Sequence, residues 1–322
     1  MDNKPVVLVT RRLPAAVEQK LGEHFTTLLN PEDRLYSSAE LLELAAQADA
    51  ILPCHTEKFP ADTIAQLPAR VKAIANFSVG VDHVDLEAAK DKGIIVTNTP
   101  DVLSDATAEI AILLMLGAAR RASEGERLVR SQQWKDWSPD FMVGRQTTGK
   151  RLGILGMGRV GQVVAQRARG FDMKIHYHNR RPLDAEQSGD SIYHDSVESL
   201  LESVDVVSIH CPAMESTQGL INGKRLALMH ADSILVNTSR GGVIDDDALV
   251  AALRSGTIGA AGLDVFNGEP DGIHAGYREL DNVFLLPHIG SATHETRKAM
   301  GYRACANLVA IFNGSEPGDR VA

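Results

Sequence analysis

The chain has little cysteine: three residues in 322, at positions 54, 211 and 305, odd in number and far apart. That excludes a disulfide framework and offers no zinc-type ligand spacing, so the three read as small buried hydrophobes. An excess of basic charge is also absent. Against 33 Lys and Arg stand 42 Asp and Glu, a formal charge of −9. A protein that grips a nucleic-acid backbone needs a net basic face, so the composition argues against that partner. Long apolar runs are missing too, since the longest, residues 110–119, is about half of what a bilayer requires. The opening stretch MDNKPVVLVTRR has too short an apolar segment for a signal peptide and is closed by arginines, so a cytoplasmic address and no membrane partner are expected by default. Neither an internal repeat nor a low-complexity tract is visible.

What is present is a globular composition, 44% hydrophobic and 23% charged, in a chain long enough for two domains with a core each. Short β-branched apolar runs alternate with longer amphipathic ones. Strands are expected over 6–10, 48–54, 71–76, 93–98, 151–155, 173–179, 204–210, 233–237, 259–265 and 283–287. Helices are expected between them, over 14–23, 39–46, 86–92, 160–169 and 246–255. Runs such as VDVVSIH and DSILVNT are apolar on both faces, as strands covered by helices on both sides are. The alternation predicts an α/β protein of two doubly wound parallel-sheet domains. Asn98-Thr99-Pro100 punctuates the chain, after which Ser104 or Asp105 can cap the helix carrying the 110–119 run. A helix so apolar all round should be buried, at a domain or subunit interface. The last long helix, 293–313, has no further strand of the second domain to serve, so the chain is expected to return to the first. The expected division is 1–100 with 289–322, and 101–288.

The most informative local motif is Gly156-Met157-Gly158-Arg159-Val160-Gly161. It directly follows an expected strand and opens an expected helix, the context in which G-x-G-x-x-G binds a dinucleotide. Gly156 permits the tight turn, Gly158 lets the backbone approach a pyrophosphate, and Gly161 lets helix and strand pack closely. The pyrophosphate would rest on the N–H groups of the helix N-terminus, with Met157, Arg159 and Val160 around it. Some 20 residues on, an NAD site usually carries a carboxylate for the ribose 2′-hydroxyl. Here the strand ends in Asn179-Arg180-Arg181. Asn179 has no charge to repel a 2′-phosphate, and the two guanidiniums can grip one, so NADP is the expected cofactor and NAD the weaker alternative. The other reading of Arg180 and Arg181 is a solvated surface pair.

Three further segments each place a reactive side chain just after a buried strand: VNTSRGG around Arg240, GLDVFNGEP with Asp264 and Glu269, and LPHIGSA around His288. In open parallel sheets ligands bind outside the carboxyl ends of the strands, so these loops can converge with the glycine loop. Together with FSVGVDHVDLEAAKDKGIIVTNTP and DATAEIAILLMLGAARR they span nearly the whole chain. The ensemble resembles the D-isomer-specific 2-hydroxyacid dehydrogenase family, within it most closely the glyoxylate and hydroxypyruvate reductases. The resemblance implies a flavodoxin-like substrate domain, a Rossmann dinucleotide-binding domain, and reduction of small 2-keto acids to D-2-hydroxy acids. His288 would be the proton donor. Glu269 would orient its ring, and Arg240 would bind the substrate carboxylate and polarise the keto oxygen. Backbone N–H groups around Ser78, Val79 and Gly80 would hold the carboxylate as well. Thr107, Cys211, Pro212, Thr238, Asp264 and Gly290, with His288, would line the cofactor. Glu269 argues against formate, because formate dehydrogenases of this fold carry Gln beside the catalytic His.

Substrate size is less legible. The aromatic-rich stretch 134–141 reads either as a lid, with Phe141 over the substrate, or as packing at a homodimer interface. Cys54, at the end of an early strand, is a candidate for the substrate pocket. His176, His178, His194 and His210 read as structural or solvated, and no metal site is expected. Two rival functions remain: the same chemistry on a larger keto acid such as phenylpyruvate or a branched one, and a nucleotide-sensing scaffold like the corepressors that resemble these dehydrogenases.

Overall fold

The structure is a computed structural model that describes residues 4–322. The chain divides into two compact units, one running to Leu103 and completed by Ala292–Ala322, the other Ser104–Ser291. The boundaries expected after 100 and 288 fall just short of these.

The first unit opens with β1 (Val6–Val9), α1 (Ala15–His24), β2 (Thr26–Leu28), α2 (Ser38–Ala45) and β3 (Ala50–Leu52). It continues with α3 (Ala61–Gln66), β4 (Ala73–Ala75), α4 (Leu86–Asp91) and β5 (Ile95–Thr97). The sheet is parallel in the order β2-β1-β3-β4-β5, the flavodoxin-like doubly wound arrangement. Ser37 starts α2 with a reciprocal capping box, its side chain accepting from the Glu40 N–H while Glu40 reaches back to the Ser37 backbone. One face of the sheet is packed by Val7, Val9, Leu52 and Phe77, the other by Leu8, Ile51, Ile74 and Val96.

The second unit runs through α5 (Ser104–Ala119), α6 (Ala122–Arg130), β6 (Arg151–Leu155), α7 (Arg159–Arg169), β7 (Lys174–His178), α8 (Ala185–Ser188) and β8 (Ile192–Tyr193). It then adds α9 (Val197–Ser203), β9 (Val206–Ile209), α10 (Gly223–Leu226), β10 (Ile234–Asn237), α11 (Asp246–Ser255), β11 (Ala260–Leu263) and β12 (Val283–Leu285). Its parallel sheet has the order β12-β11-β10-β9-β6-β7-β8. From β6 the chain winds outward to β7 and β8, then returns and winds the other way from β9 to β12. The strand order therefore reverses between β6 and β9, where this class of sheet opens a ligand crevice. Every residue of β9, β10 and β11 is buried, which explains their predominantly apolar sequence, broken only by Ser208 and Asn237.

After β12 the chain returns to the first unit as α12 (His294–Phe312), capped by Thr293, whose hydroxyl accepts from the Thr296 N–H. Met300, Ala304, Cys305 and Leu308 enter the core alongside Val17 and Leu21 of α1. Leu308 alone, fully buried, contributes about 1.5–3 kcal/mol.

Several expectations need correction. The helix after Pro100 begins at Ser104 itself, so Ser104 and Asp105 lie inside its first turn rather than ahead of it. The Asp105 carboxylate instead pairs with Arg167 of α7 at 2.8 Å. The 110–119 run is not enclosed on all sides: Leu114, Met115, Ala118 and Ala119 are buried, but Leu113 is 45% exposed. Most strands are shorter than expected, because their flanking apolar residues leave the ladder into turns while staying in the core, as Cys54, Val71 and Val204 do.

Candidate active site

Within the second unit, β10, β11 and β12 are neighbours, so the loops leaving their carboxyl ends are neighbours too. Asn237 closes β10, is completely buried, and shapes the loop that follows. Its Oδ1 accepts from the Ser239 N–H and Oγ at 2.9 and 3.0 Å, while its Nδ2 donates to the Arg240 carbonyl at 2.9 Å. Arg240, partly buried, is thereby set at the start of a short 3-10 turn over Gly241–Val243, and its Nη1 donates to the Ser239 carbonyl at 2.8 Å. The next residue can only be glycine. A Cβ there would lie 2.0 Å from the Phe266 carbonyl carbon and 2.2 Å from the Asn267 nitrogen. The Arg240 loop is thus pressed directly onto the loop that carries Glu269.

Each carboxylate oxygen of Glu269 is engaged. Oε2 accepts from the Phe266 N–H at 2.9 Å, and Oε1 contacts Nδ1 of His288. His288 itself has φ of +54°, in the left-handed region that non-glycine residues seldom occupy. Asp264 holds that geometry in place. Fully buried after β11, it accepts from the Ile289 and Gly290 N–H groups at 2.8 Å each. Burial raises its carboxyl above the ordinary range, an effect the two N–H donors oppose. Thr107 of α5 closes the arrangement, with its hydroxyl 3.3 Å from the Gly290 carbonyl. A guanidinium, a carboxylate–imidazole pair and a buried carboxylate are thus gathered along three adjacent strand ends. This set can hold a carboxylate and pass a proton to a growing oxyanion.

The glycine loop fits a dinucleotide on its own geometry. Gly156 has φ of +99°, and a Cβ there would meet the backbone of His210 and Cys211 at under 3 Å. Gly161 packs so closely that a Cβ would lie 2.5 Å from the Gly156 carbonyl oxygen. Gly158 is the opposite case: nothing lies within 4 Å of where its Cβ would be, no side chain caps α7, and its first turn carries no acid. An open, positive helix N-terminus of this kind suits a phosphate group. Asn179 plays a part its sequence did not reveal: its Oδ1 accepts from the Met157 N–H at 2.7 Å and fastens the glycine loop. Arg180 and Arg181 are exposed, and among the described residues neither makes an ion pair. Thr238 and His210 meet below the loops, with Oγ1 at 3.1 Å from Nδ1, and the opposite ring nitrogen is 2.8 Å from Ser208 Oγ. Burial pushes His210 down to about 4, so this imidazole is neutral at pH 7 and serves as a hydrogen-bond bridge. Cys211, adjoining the glycine loop, is pushed up to about 11 by its burial, while Pro212 is exposed.

The first unit carries the other expected residues. After β4, the carbonyls of Ser78, Val79 and Gly80 are all occupied, by Thr99 N, Asn98 Nδ2 and Ser78 Oγ respectively. Their N–H groups donate to no acceptor among the described residues, so they are available to an outside acceptor. Cys54 is partly buried, its N–H donates to Glu57 Oε2 at 2.9 Å, and burial pushes its thiol up to about 12.

Phe141 is 38% exposed, Trp134 54% and Trp137 70%, on a segment without helix or strand. His176 and His194 bond to each other at 2.9 Å, His194 also to Ser199, and His178 to the His194 carbonyl. These three knit β7 to the β8–α9 connection. Burial holds His176 and His194 below the usual imidazole range. Among the described residues no helix is long and apolar enough to cross a membrane.

Residues 112–290 match the model of the NAD-binding domain of D-isomer specific 2-hydroxyacid dehydrogenases. The chain belongs to this family, and its second unit is an NAD(P)-binding domain. It is 40% identical over 316 residues to the glycerate dehydrogenase of Hyphomicrobium methylovorum, covering 98% of both chains. It is 42% identical to the glyoxylate reductase of Thermococcus litoralis, covering 99% of this chain and 97% of the relative. Among solved structures, it is similar to the NADPH-dependent glyoxylate/hydroxypyruvate reductase of Sinorhizobium meliloti in complex with NADP and malonate. The TM-score is 0.87 at 33% identity, over 99% of this chain and 97% of that one.

Proposed function

We propose that this oxidoreductase reduces glyoxylate to glycolate and hydroxypyruvate to D-glycerate, with NADPH preferred over NADH. The observation that carries the reading is the Glu269–His288 pair set beside the Arg240 loop on adjacent strand ends. The chemistry a bound nicotinamide supplies is hydride donation to the keto carbon. Arg240 holds the substrate carboxylate and draws electron density onto the keto oxygen. As the carbon–oxygen double bond becomes a single bond, His288 Nε2 transfers its proton to that oxygen, and Glu269 at Nδ1 stabilises the ring through the transfer. Asp264 keeps the backbone after His288 in register, and the N–H groups of Val79 and Gly80 are a second device suited to a carboxylate. Relatives of comparable identity bear the names glyoxylate reductase and glycerate dehydrogenase, which supports the choice of small substrates.

The preference for NADPH rests on Asn179, which brings no negative charge, and on the exposed, unpaired Arg180 and Arg181. The Sinorhizobium relative is described as NADPH-dependent, which supports the same choice. The test is oxidation of NADPH and of NADH at 340 nm with glyoxylate, hydroxypyruvate, pyruvate and phenylpyruvate. Fast turnover of the first two with NADPH is expected. Faster turnover with NADH would overturn the 2′-phosphate reading and leave the catalytic residues standing, whereas no turnover with any keto acid would overturn the function. The partner proposed is a second copy of the chain, supported by the apolar residues that α5 and the 134–141 stretch leave exposed. A monomer by light scattering would refute this.

A further inference from the structure

The connection from β11 to β12 carries Glu269 between two side chains that meet on one carboxylate. Asn267 donates its Nδ2 to Asp246 Oδ2 at 2.8 Å and to the Ile244 carbonyl at 3.3 Å. Tyr277, further along the same connection, donates its hydroxyl to Asp246 Oδ1 at 2.7 Å. Tyr277 is almost fully buried, so its hydroxyl depends on that acceptor. Burial, reinforced by the Asp246 carboxylate, raises the hydroxyl above its ordinary range and keeps it a donor. Asp246 thus ties the residues on both sides of Glu269 to the start of α11.

An acid in the first turn of a helix has an ordinary explanation, the helix dipole. Here the neighbours of Asp246 already meet that need. Asp245 is the N-cap of α11 and accepts from the Ala248 N–H at 3.0 Å. Asp247 is turned to solvent, its side chain 93% exposed and paired with His274. Among the described residues Asp246 accepts from no N–H of its own helix, and both of its oxygens face the loop.

The loop so held is the one that the reacting pair depends on. Phe266, next to Asn267, donates its N–H to Glu269 Oε2 at 2.9 Å, and Glu269 Oε1 meets His288 Nδ1. The same Phe266–Asn267 backbone is pressed by Gly241. That contact stops the two loops from closing further, but only an attraction can stop them parting. The bond from Asn267 to Asp246 supplies one.

We propose that Asp246 is a positioning residue for the Glu269–His288 pair. Its carboxylate, acting through Asn267 and Tyr277, holds Glu269 where it can orient the His288 ring. Asp246 forms no hydrogen bond with either member and enters no chemical step. The inference rests on the reading of this pair as the proton-transfer device of a keto acid reductase.

The test is a double-mutant cycle on the full-length protein, with NADPH and hydroxypyruvate. Asp246→Ala should lower kcat about 10–100-fold, with KM for both substrates within about 3-fold of wild type. In a Glu269→Gln background the same substitution should cost less than about 3-fold more, because the group it positions is already gone. Asn267→Ala, which leaves α11 and Tyr277 untouched, should reproduce the loss and gives the same reading should Asp246→Ala fail to fold. Asp246→Asn keeps an acceptor for Asn267 and should fall between. Asp247→Ala removes the same charge from the same helix turn and should leave kcat within about 3-fold of wild type. Wild-type kcat in Asp246→Ala or Asn267→Ala, or an equal loss with and without Glu269, would overturn the proposal while leaving the reductase reading intact. Hydrogen exchange separates the two claims. The Phe266 amide, held by Glu269, should exchange at least about 10-fold faster in Asp246→Ala than in the wild type or Asp247→Ala. If the wild type turned over no keto acid, the reductase reading would fail. Faster exchange at Phe266 would even then support the positioning of Glu269 by Asp246, and unchanged exchange would refute it.

Discussion

Gly241→Ala adds one methyl group and removes no functional group, so its effect isolates the placement of Arg240. The new Cβ would stand 2.0 Å from the Phe266 carbonyl carbon, 2.2 Å from the Asn267 nitrogen and 2.4 Å from the Phe266 oxygen. Ordinary carbon contacts begin near 3.4 Å, so the two loops must separate by about 1.4 Å, the difference between 3.4 and 2.0. All three neighbours are backbone atoms of the segment that ends in Glu269, and none can swing aside. A misplacement of this size costs about 10²-fold in kcat/KM, or about 2.7 kcal/mol of transition-state stabilisation. Overpacking should cost a further 1–3 kcal/mol or so of stability. The control is Gly242→Ala, whose Cβ would meet Gln218 Oε1 at 2.7 Å, the tip of an exposed side chain that can rotate away. Its kcat/KM should stay within about 3-fold of wild type. Steady-state NADPH oxidation and thermal melting of both variants decide the matter. If Gly241→Ala kept wild-type kcat/KM and melting temperature, or if the two variants suffered equally, the close apposition of these loops would not be what positions Arg240.

Asp264→Ala leaves the Ile289 and Gly290 N–H groups without their acceptor, and His288 without the support that holds its left-handed backbone. A stability loss of about 1–3 kcal/mol is expected, with kcat reduced about 10–100-fold and Asp264→Asn milder in both; wild-type kcat in Asp264→Ala would rule out this positioning role. Asp205, where β9 begins, accepts from the Arg151 backbone and guanidinium at the start of β6, and that arginine holds its carboxyl down to about 2. A depressed folded-state value contributes stability above the unfolded carboxylate range and loses it as pH falls from about 4 to 2. Allowing for the partial exposure of Arg151, the contribution is about 1–2 kcal/mol. The melting-temperature gap between wild type and Asp205→Asn should be constant above about pH 5 and shrink on acidification; a gap independent of pH would contradict the assignment.

The strands that build the sheet interiors were legible because burial on both faces writes itself as a largely apolar run, as in Val206–Ile209 and Ile234–Asn237. Two of the four edge strands, β5 and β12, fell within the expected runs 93–98 and 283–287, but the other two did not. Thr26–Leu28 has three residues, Ile192–Tyr193 has two, and each pairs on one side only, so neither needs the composition of a core strand. The helix Ala122–Arg130 buries none of its residues and is mostly charged and polar, so it carries no apolar run to mark it in the sequence. At the site, Arg240, Glu269 and His288 stood out as reactive types after apolar strands. What brings them together did not: the clamping by buried Asn237, the contact at Gly241 and the double acceptance by Asp264 are matters of which strands are neighbours. A polar residue closing an apolar strand, as Asn237 does, was the available signal. Asn179 was read for its lack of charge alone, because its bond to Met157 N depends on the turn geometry of the glycine loop.

The return of α12 to the first unit has a consequence for biosynthesis. Residues 104–291 form a contiguous unit, able to collapse as soon as they have left the ribosome. The first unit cannot complete its core until Met300, Ala304, Cys305 and Leu308 arrive, about 200 residues after its last strand has been made. At ~5–20 residues per second that is roughly 10–40 s during which a parallel sheet waits with one face only partly covered, by α1. The unit whose synthesis begins first is therefore the one that finishes folding last. During that interval it, rather than the nucleotide-binding unit, is the part of the nascent chain with most need of a chaperone.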